Sequence, residues 1–301
     1  MPARIKRALE VILARGGPAM AARATRQGGV LILAYHNVVH PDARPAGERS
    51  LHLSADRFRR QLDLIQRWLA VGHLNDLVAQ AGHGAPPRAI ITFDDAYRGA
   101  VTIALPELRA RGLPATMFVA PGRLGGDQFW WDALAEAGAM TDEGRRHALE
   151  ELRGEESAVR SWAAAAGLGL GSVPDLWRSA SAEELAAAVY PGLTLGSHSW
   201  SHPNLARLSA AEIGRELAAS HDWLVDQFPR FYAPWLAFPY GRFSREVCDA
   251  AGTRGFAGAL RIDGGWSRLP LPDPLAAARM NVPAGVSTDG FALRLSGLMR
   301  S

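Results

Sequence analysis

Cysteine is almost absent from this chain. Its 301 residues contain one, Cys248, so no intramolecular disulfide can form and the fold must hold without a covalent staple. Long apolar runs are missing as well. No stretch approaches the roughly 20 apolar residues that span a bilayer. The best N-terminal run, Ala8 to Ala14, is interrupted by Glu10 and followed by Arg15 and Gly-Gly-Pro. A secretory signal needs a cleaner apolar core than that, so the expected location is the cytoplasm or the cytoplasmic face of a membrane. A concentrated charge of one sign is also lacking outside the N-terminus. Residues 1–30 carry six basic side chains (Arg4, Lys6, Arg7, Arg15, Arg23, Arg26) against Glu10, which leaves 27 basic and 29 acidic residues in the rest. A nucleic-acid binder should show a basic face on its folded body, with aromatic residues among the charges. None is visible, and nucleic acid is not an expected partner.

What is present is ordinary globular material. At 48% hydrophobic and 21% charged residues, the chain can build one large α/β domain or two small ones. Residues 1–28 read as a basic amphipathic segment in which Ile5, Leu9 and Ile12 fall on one helical stripe. Such a segment either makes a weak contact with an anionic membrane surface or packs on the domain. From residue 29 onward, short apolar runs alternate with helical patterns and no repeat or low-complexity tract intervenes. Val30–Tyr35, Ala89–Phe93, Ala115–Val119, Leu193–Leu195, Leu236–Phe238 and Phe256–Leu260 are the strand candidates. Helices are expected after Ser54, with the stripe Phe58, Leu62, Ile65 and Leu69, and from about Val101 to Arg111. A capping box of Ser209 and Glu212 opens another, and one more lies near 243–253. Residues 121–190 break the rhythm and read as a helical insertion. Strands alternating with helices imply a mainly parallel sheet, open or closed into a barrel, whose ligands gather at the carboxyl ends of the strands.

Those ends hold the chemistry. Asp94 and Asp95 follow the second strand candidate. Neighbouring side chains on an extended backbone point to opposite sides, so the two carboxylates should do different work: one held by a metal and one free as a base, unless both only cap a turn. His198 and His202 follow the fourth candidate. Four residues apart, they share a face if the segment makes a helical turn, and with a carboxylate they can hold one divalent ion; otherwise they are surface histidines. Tyr240 follows Pro239 at the end of the fifth candidate, either in a plain turn or presenting its N–H to a developing oxyanion. His36, after the first, could be a core histidine tied to a carbonyl.

Taken together these residues resemble the polysaccharide deacetylases, the carbohydrate esterase family 4 enzymes with the NodB homology domain. Thr92-Phe93-Asp94-Asp95 is similar to their first motif, His198-Ser199-Trp200-Ser201-His202 to their metal motif, and the segments Leu113–Val119 and Leu236–Gly241 to two more, in the family's order. The resemblance covers roughly residues 30–285. It implies a deformed (β/α) barrel of about seven strands within a domain spanning 29–301. It also implies a divalent ion held by Asp95, His198 and His202, with zinc expected and cobalt or nickel as substitutes. Asp94 would be the general base, the Tyr240 N–H an oxyanion donor, and the substrate an acetylated glycan or lipid-linked sugar.

Two departures stand out. The arginine that many members carry two residues before the Pro-Tyr pair is Ala237 here, and Arg279 is the candidate to supply the guanidinium from another strand. No histidine follows His221, so the family's C-terminal histidine motif is missing. Tyr35-His36 resembles the Tyr-His motif of the branch that deacetylates poly-N-acetylglucosamine, which makes His36 the candidate to protonate the leaving amine. Trp131, in the Phe129–Asp132 run of the insertion, either stacks on a sugar ring or anchors the inserted helices. Rival readings are a cyclic-amide or ureide hydrolase on the same scaffold, a non-catalytic glycan-binding relative, and an O-acetyl or xylan-type substrate.

Overall fold

The computed structural model of the chain describes residues 10–14, 19, 21–22, 25–77 and 86–299. Short aliphatic runs form the strands β1 (Gly29–Tyr35), β2 (Arg88–Phe93), β3 (Ala115–Val119), β4 (Leu193–Ser197), β5 (Tyr232–Ala237) and β6 (Gly258–Arg261). These pair in chain order and all in parallel. β7 (Trp266–Arg268) runs antiparallel along the first residues of β1. The ring is closed by a strand split in two. β8 (Ala277–Ala278) pairs with β6, β9 (Met280–Asn281) pairs with β1, and Arg279 is the one residue between them. With the split strand counted once, the parallel positions number seven, and the result is the nearly closed, deformed barrel that the resemblance implies.

Alternation along the strands sorts the core into two layers. Val30, Ile32, Ile90, Phe118, Trp235 and Leu260 fill the barrel interior. Leu31, Leu33, Ile91, Met117 and Leu195 face outward against helices, including Phe58, Leu62 and Ile65 of α1 (Ala55–Trp68). Ser54 precedes α1, but its side chain makes no capping bond. The expected helix after β2 begins as a π-turn over Ala100–Ala104 and becomes α2 (Leu105–Ala110). Residues 121–190 contain α3 (Trp130–Glu136), α4 (Asp142–Glu150), α5 (Glu156–Ala165) and α6 (Ala182–Ala188). Their Trp130, Leu149, Val159 and Leu185 join the outer layer of the core, so this region shares the barrel's hydrophobic packing. The capping box of Ser209 and Glu212 is present at the start of α7 (Ala210–Gln227). α8 (Arg245–Arg254) and α9 (Thr288–Ser296) complete the outer layer.

Of the N-terminal stripe, Ile5 and Leu9 lie outside the described residues. Leu13 and Ala14 pack against Ala292 and Leu293 of α9, and Glu10 accepts a hydrogen bond from Ser287 (2.9 Å), whereas Ile12 is exposed. Among the described residues no helix is long and apolar enough to cross a membrane.

Candidate metal centre

The period of β2 carries Ile90 and Thr92 to the barrel interior, and Asp94, just past the strand end, continues the same line. An extended chain would send Asp95 the other way. That expectation fails, because Asp95 and Ala96 have φ of +70° and +48°, so the backbone reverses and both carboxylates line one cavity. The histidine loop deviates from expectation in a similar way. No helical turn forms at 198–202; Ser199 and His202 are left-handed, at +63° and +64°. Glu216 of α7 holds this loop by accepting the Trp200 and Ser201 N–H groups (2.9 and 2.8 Å). Of six described non-glycine residues with positive φ, five (Asp95, Ala96, Ser199, His202, Tyr240) sit in the loops that build this cavity. Each such residue costs on the order of 1–3 kcal/mol and persists where the surroundings over-determine it. The strain is concentrated around this one cavity.

Three ligand atoms converge as a result. Asp95 Oδ1 is 3.1 Å from His202 Nε2 and 3.5 Å from His198 Nε2, and the two Nε2 atoms are 3.2 Å apart. His198 Nδ1 lies 2.8 Å from the Ala237 carbonyl, which can only accept. Nδ1 therefore carries the proton and Nε2 presents a lone pair to the centre. Asp95 Oδ1 is buried yet accepts no hydrogen bond. A bare carboxylate oxygen facing two imidazole nitrogens matches the donor set of a three-ligand cation site. Burial pushes the Asp95 carboxyl up, but the adjacent His202 and His198 rings outweigh it and hold it well below the usual range.

Asp94 is held separately. Arg279, fully buried, donates from Nη1 to Asp94 Oδ1 (2.7 Å) and from Nη2 to Oδ2 (2.8 Å), with a further bond from Nη1 to Thr92 Oγ1 (3.1 Å). Burial raises the Asp94 carboxyl and Arg279 lowers it; with help from His198 the net shift is downward, which keeps it ionised. The guanidinium missing at Ala237 is thus supplied from the split strand. His36 Nε2 stands 4.0 Å from Asp94 Oδ2, and burial shifts its imidazole toward the neutral form despite the two aspartates.

The cavity these groups share measures about 340 Å³. Trp131, Arg145 and Leu149 of the 121–190 region line it on the insertion's side, and Glu48, Ser50, Arg242 and Asn281 are among the other lining residues. Tyr240 lines it too, its hydroxyl fixed by donation to the Gly154 carbonyl and acceptance from Trp130 Nε1 (both 3.0 Å). Pro239 is buried but does not line it, and Arg279 reaches it only through Asp94. Trp131 lies edge-on to Tyr240, with its ring 5.1 Å from that of His202.

His52, Tyr97 and Asp132, to which the sequence alone assigned no role, hold Trp131 there. Asp132, with no exposed surface, accepts bonds from His52 Nε2 (2.8 Å), Tyr97 OH (2.7 Å) and the Glu48 N–H (2.7 Å). Tyr97 OH in turn accepts the Trp131 indole N–H (2.8 Å). The available signal was an acid directly after two tryptophans, a residue that cannot stay buried without donors.

A barrel with paired acids and imidazoles at the carboxyl ends of its strands places the molecule among the (β/α)-barrel enzymes. The polysaccharide deacetylase model matches residues 81–259, more than half of the chain, and the chain belongs to that family of hydrolases. Solved structures share its fold. A Streptococcus pyogenes deacetylase, PplD, in complex with acetate is 16% identical with a TM-score of 0.63, covering 89% of this chain and 99% of its own. IcaB from Ammonifex degensii is 17% identical with a TM-score of 0.59 over 90% and 98% of the two chains. A de-N-acetylase from Aggregatibacter actinomycetemcomitans is 12% identical with a TM-score of 0.59 over 86% and 97%. No curated protein sequence matches this chain.

Proposed function

We propose that the protein is a divalent-metal-dependent hydrolase that removes the acetyl group from an N-acetylated sugar, carried by a glycan or a lipid. The observation that carries this reading is the convergence of Asp95, His198 and His202 beside a second carboxylate, Asp94, that Arg279 keeps out of the ligand set. A cation held by those three residues, zinc before cobalt or nickel, would polarise the acetyl carbonyl and acidify a water.

The remaining work falls to the chain's own groups. Asp94, ionised and pinned by two charge-assisted bonds, removes a proton from the attacking water. The Tyr240 N–H donates to the oxyanion. His36, beside Asp94 and neutral at rest, relays the proton to the leaving amine. Trp131 offers the sugar ring an apolar edge.

The test is acetate release from N-acetylglucosamine oligomers and acetylated xylan, and ring opening of hydantoins and imides, by the zinc-loaded protein, with Asp94→Asn as control. Release from the amino-sugar oligomers alone, lost in Asp94→Asn while the metal stays bound, is expected. Turnover of the cyclic amides in place of the sugars, or full activity in Asp94→Asn, would overturn the reading.

A further inference from the structure

A second cavity, of about 500 Å³, is built partly from the same segment of chain as the first. Arg49 lines it, while the residues on either side of Arg49 in the chain, Glu48 and Ser50, line the catalytic cavity. Ala284 lines it as well, and the Ala284 N–H donates to the Ser50 carbonyl (2.9 Å). The two cavities therefore flank the same pair of hydrogen-bonded segments.

The charge in this groove is one-sided. Arg44, Arg49, Arg57 and Arg60 line it against a single acid, Asp56. Asp56 is already paired with Arg59 (3.2 Å), and Arg44 with Glu136 (2.5 Å). Arg57 donates from Nη1 to the Ala284 carbonyl (2.8 Å), which fixes the guanidinium without neutralising it. Arg49 and Arg60 form no ion pair among the described residues. The chain beyond residue 30 is otherwise close to charge balance, and although Arg49 also feels the Glu136 carboxylate, the three exposed guanidinia give this one groove a net positive field that favours an external anion.

A lone carboxylate is satisfied by one guanidinium fork, whereas a phosphoryl group offers more oxygens and more charge and suits several forks at once. We propose that this groove is an oxyanion subsite, and that the acetylated sugar entering the catalytic cavity carries a phosphoryl or diphosphoryl group which seats among Arg49, Arg57 and Arg60. The assignment of the sugar rests on the deacetylase reading; the binding of the anion does not.

Two measurements separate these halves. Calorimetric titration of the full chain with inorganic pyrophosphate should show saturable binding, weakened roughly tenfold or more in the Arg49→Gln/Arg60→Gln double variant, as expected for losing one or two charge-assisted bonds. Steady-state kinetics then compare a neutral N-acetylglucosamine oligomer with the same sugar on a nucleoside diphosphate and on a lipid diphosphate. The KM for a diphosphate-bearing sugar should rise about tenfold more than that for the neutral oligomer in the double variant, and whichever diphosphate has the lower wild-type KM identifies the source. Absent pyrophosphate binding, equal binding by both proteins, or KM values that change alike would overturn the subsite. Normal pyrophosphate binding without turnover of any acetylated sugar would leave the groove standing and overturn the deacetylase reading.

Discussion

Arg279 and Asp94 are 185 residues apart in the chain and form a two-pronged, fully buried ion pair. Arg279 can do this because it is the single residue between β8 and β9, where the closing strand leaves β6 and joins β1. Its N–H still donates to the Arg261 carbonyl (3.0 Å), so the strand switch costs no backbone bond there, and its guanidinium packs over the Phe118 ring at 5.4 Å. Barrel closure and orientation of the proposed base are one structural event.

Replacing Arg279 by Gln should harm both activity and stability. A buried pair that loses one partner leaves an uncompensated charge, at roughly 3–5 kcal/mol, and Lys should not rescue because it cannot fork. The pH signs follow from the lowered Asp94 carboxyl. Its contribution to stability is complete above about pH 4, where an unfolded-chain aspartate ionises, and is lost as pH falls through the lower folded value. In Arg279→Gln the acid limb of the rate profile should move to higher pH, because the base protonates sooner. Thermal melts and pH–rate profiles of both proteins check this; an unmoved acid limb would remove Arg279 from the role.

Tyr97→Phe deletes the hydroxyl that joins the Trp131 indole to Asp132. Two buried groups lose a partner, at about 1–3 kcal/mol each in the absence of rearrangement. Because Trp131 touches the cavity and not the reacting atoms, KM should rise more than kcat falls. Kinetics on the preferred acetylated sugar, with a urea melt alongside, distinguish this from simple unfolding.

How much of this was legible beforehand depended on whether a feature is written locally. Apolar runs ending in Asp94, His198 or Tyr240 could be read because strand period and strand-end chemistry lie within a few residues of each other. The left-handed turns at Asp95, Ser199 and His202 could not, since no glycine marks them and only the surrounding packing enforces them. β5 was expected from Leu236 to Phe238 but begins at Tyr232. Pro234 reads as a break, yet it falls where the β4–β5 register shifts, a bulge that tolerates a missing N–H. β8 and β9 are two residues long, too short for any period to show. The Asp132 network joins positions 35 and 80 residues apart, a pairing that a single sequence does not reveal.

Gly258→Ala tests the barrel interior. A Cβ at this position of β6 would meet the Trp235 ring at 2.1 Å, closer than any real contact, and Trp235 is fully buried with no room to give. Overpacking of this kind typically costs about 1–3 kcal/mol. The expected outcome is a lower melting temperature, whereas Gly265→Ala, where nothing lies within 4 Å, should be much milder.

Metal binding should be visible without any assay of turnover. A cation that binds the folded chain and not the unfolded one stabilises it by roughly 2.7 kcal/mol at about a hundred times Kd. Zinc should therefore raise the melting temperature of chelator-treated protein. In Asp95→Asn the ligand loses its charge while its shape is kept, and most of that zinc-dependent shift should vanish. In Asp94→Asn the shift should persist, because Asp94 faces Arg279 and stands outside the three-ligand set. The contrast between adjacent residues is the decisive reading: equal zinc responses in the two variants would mean that the carboxylates are not divided into ligand and base, and the assignment of both would fail.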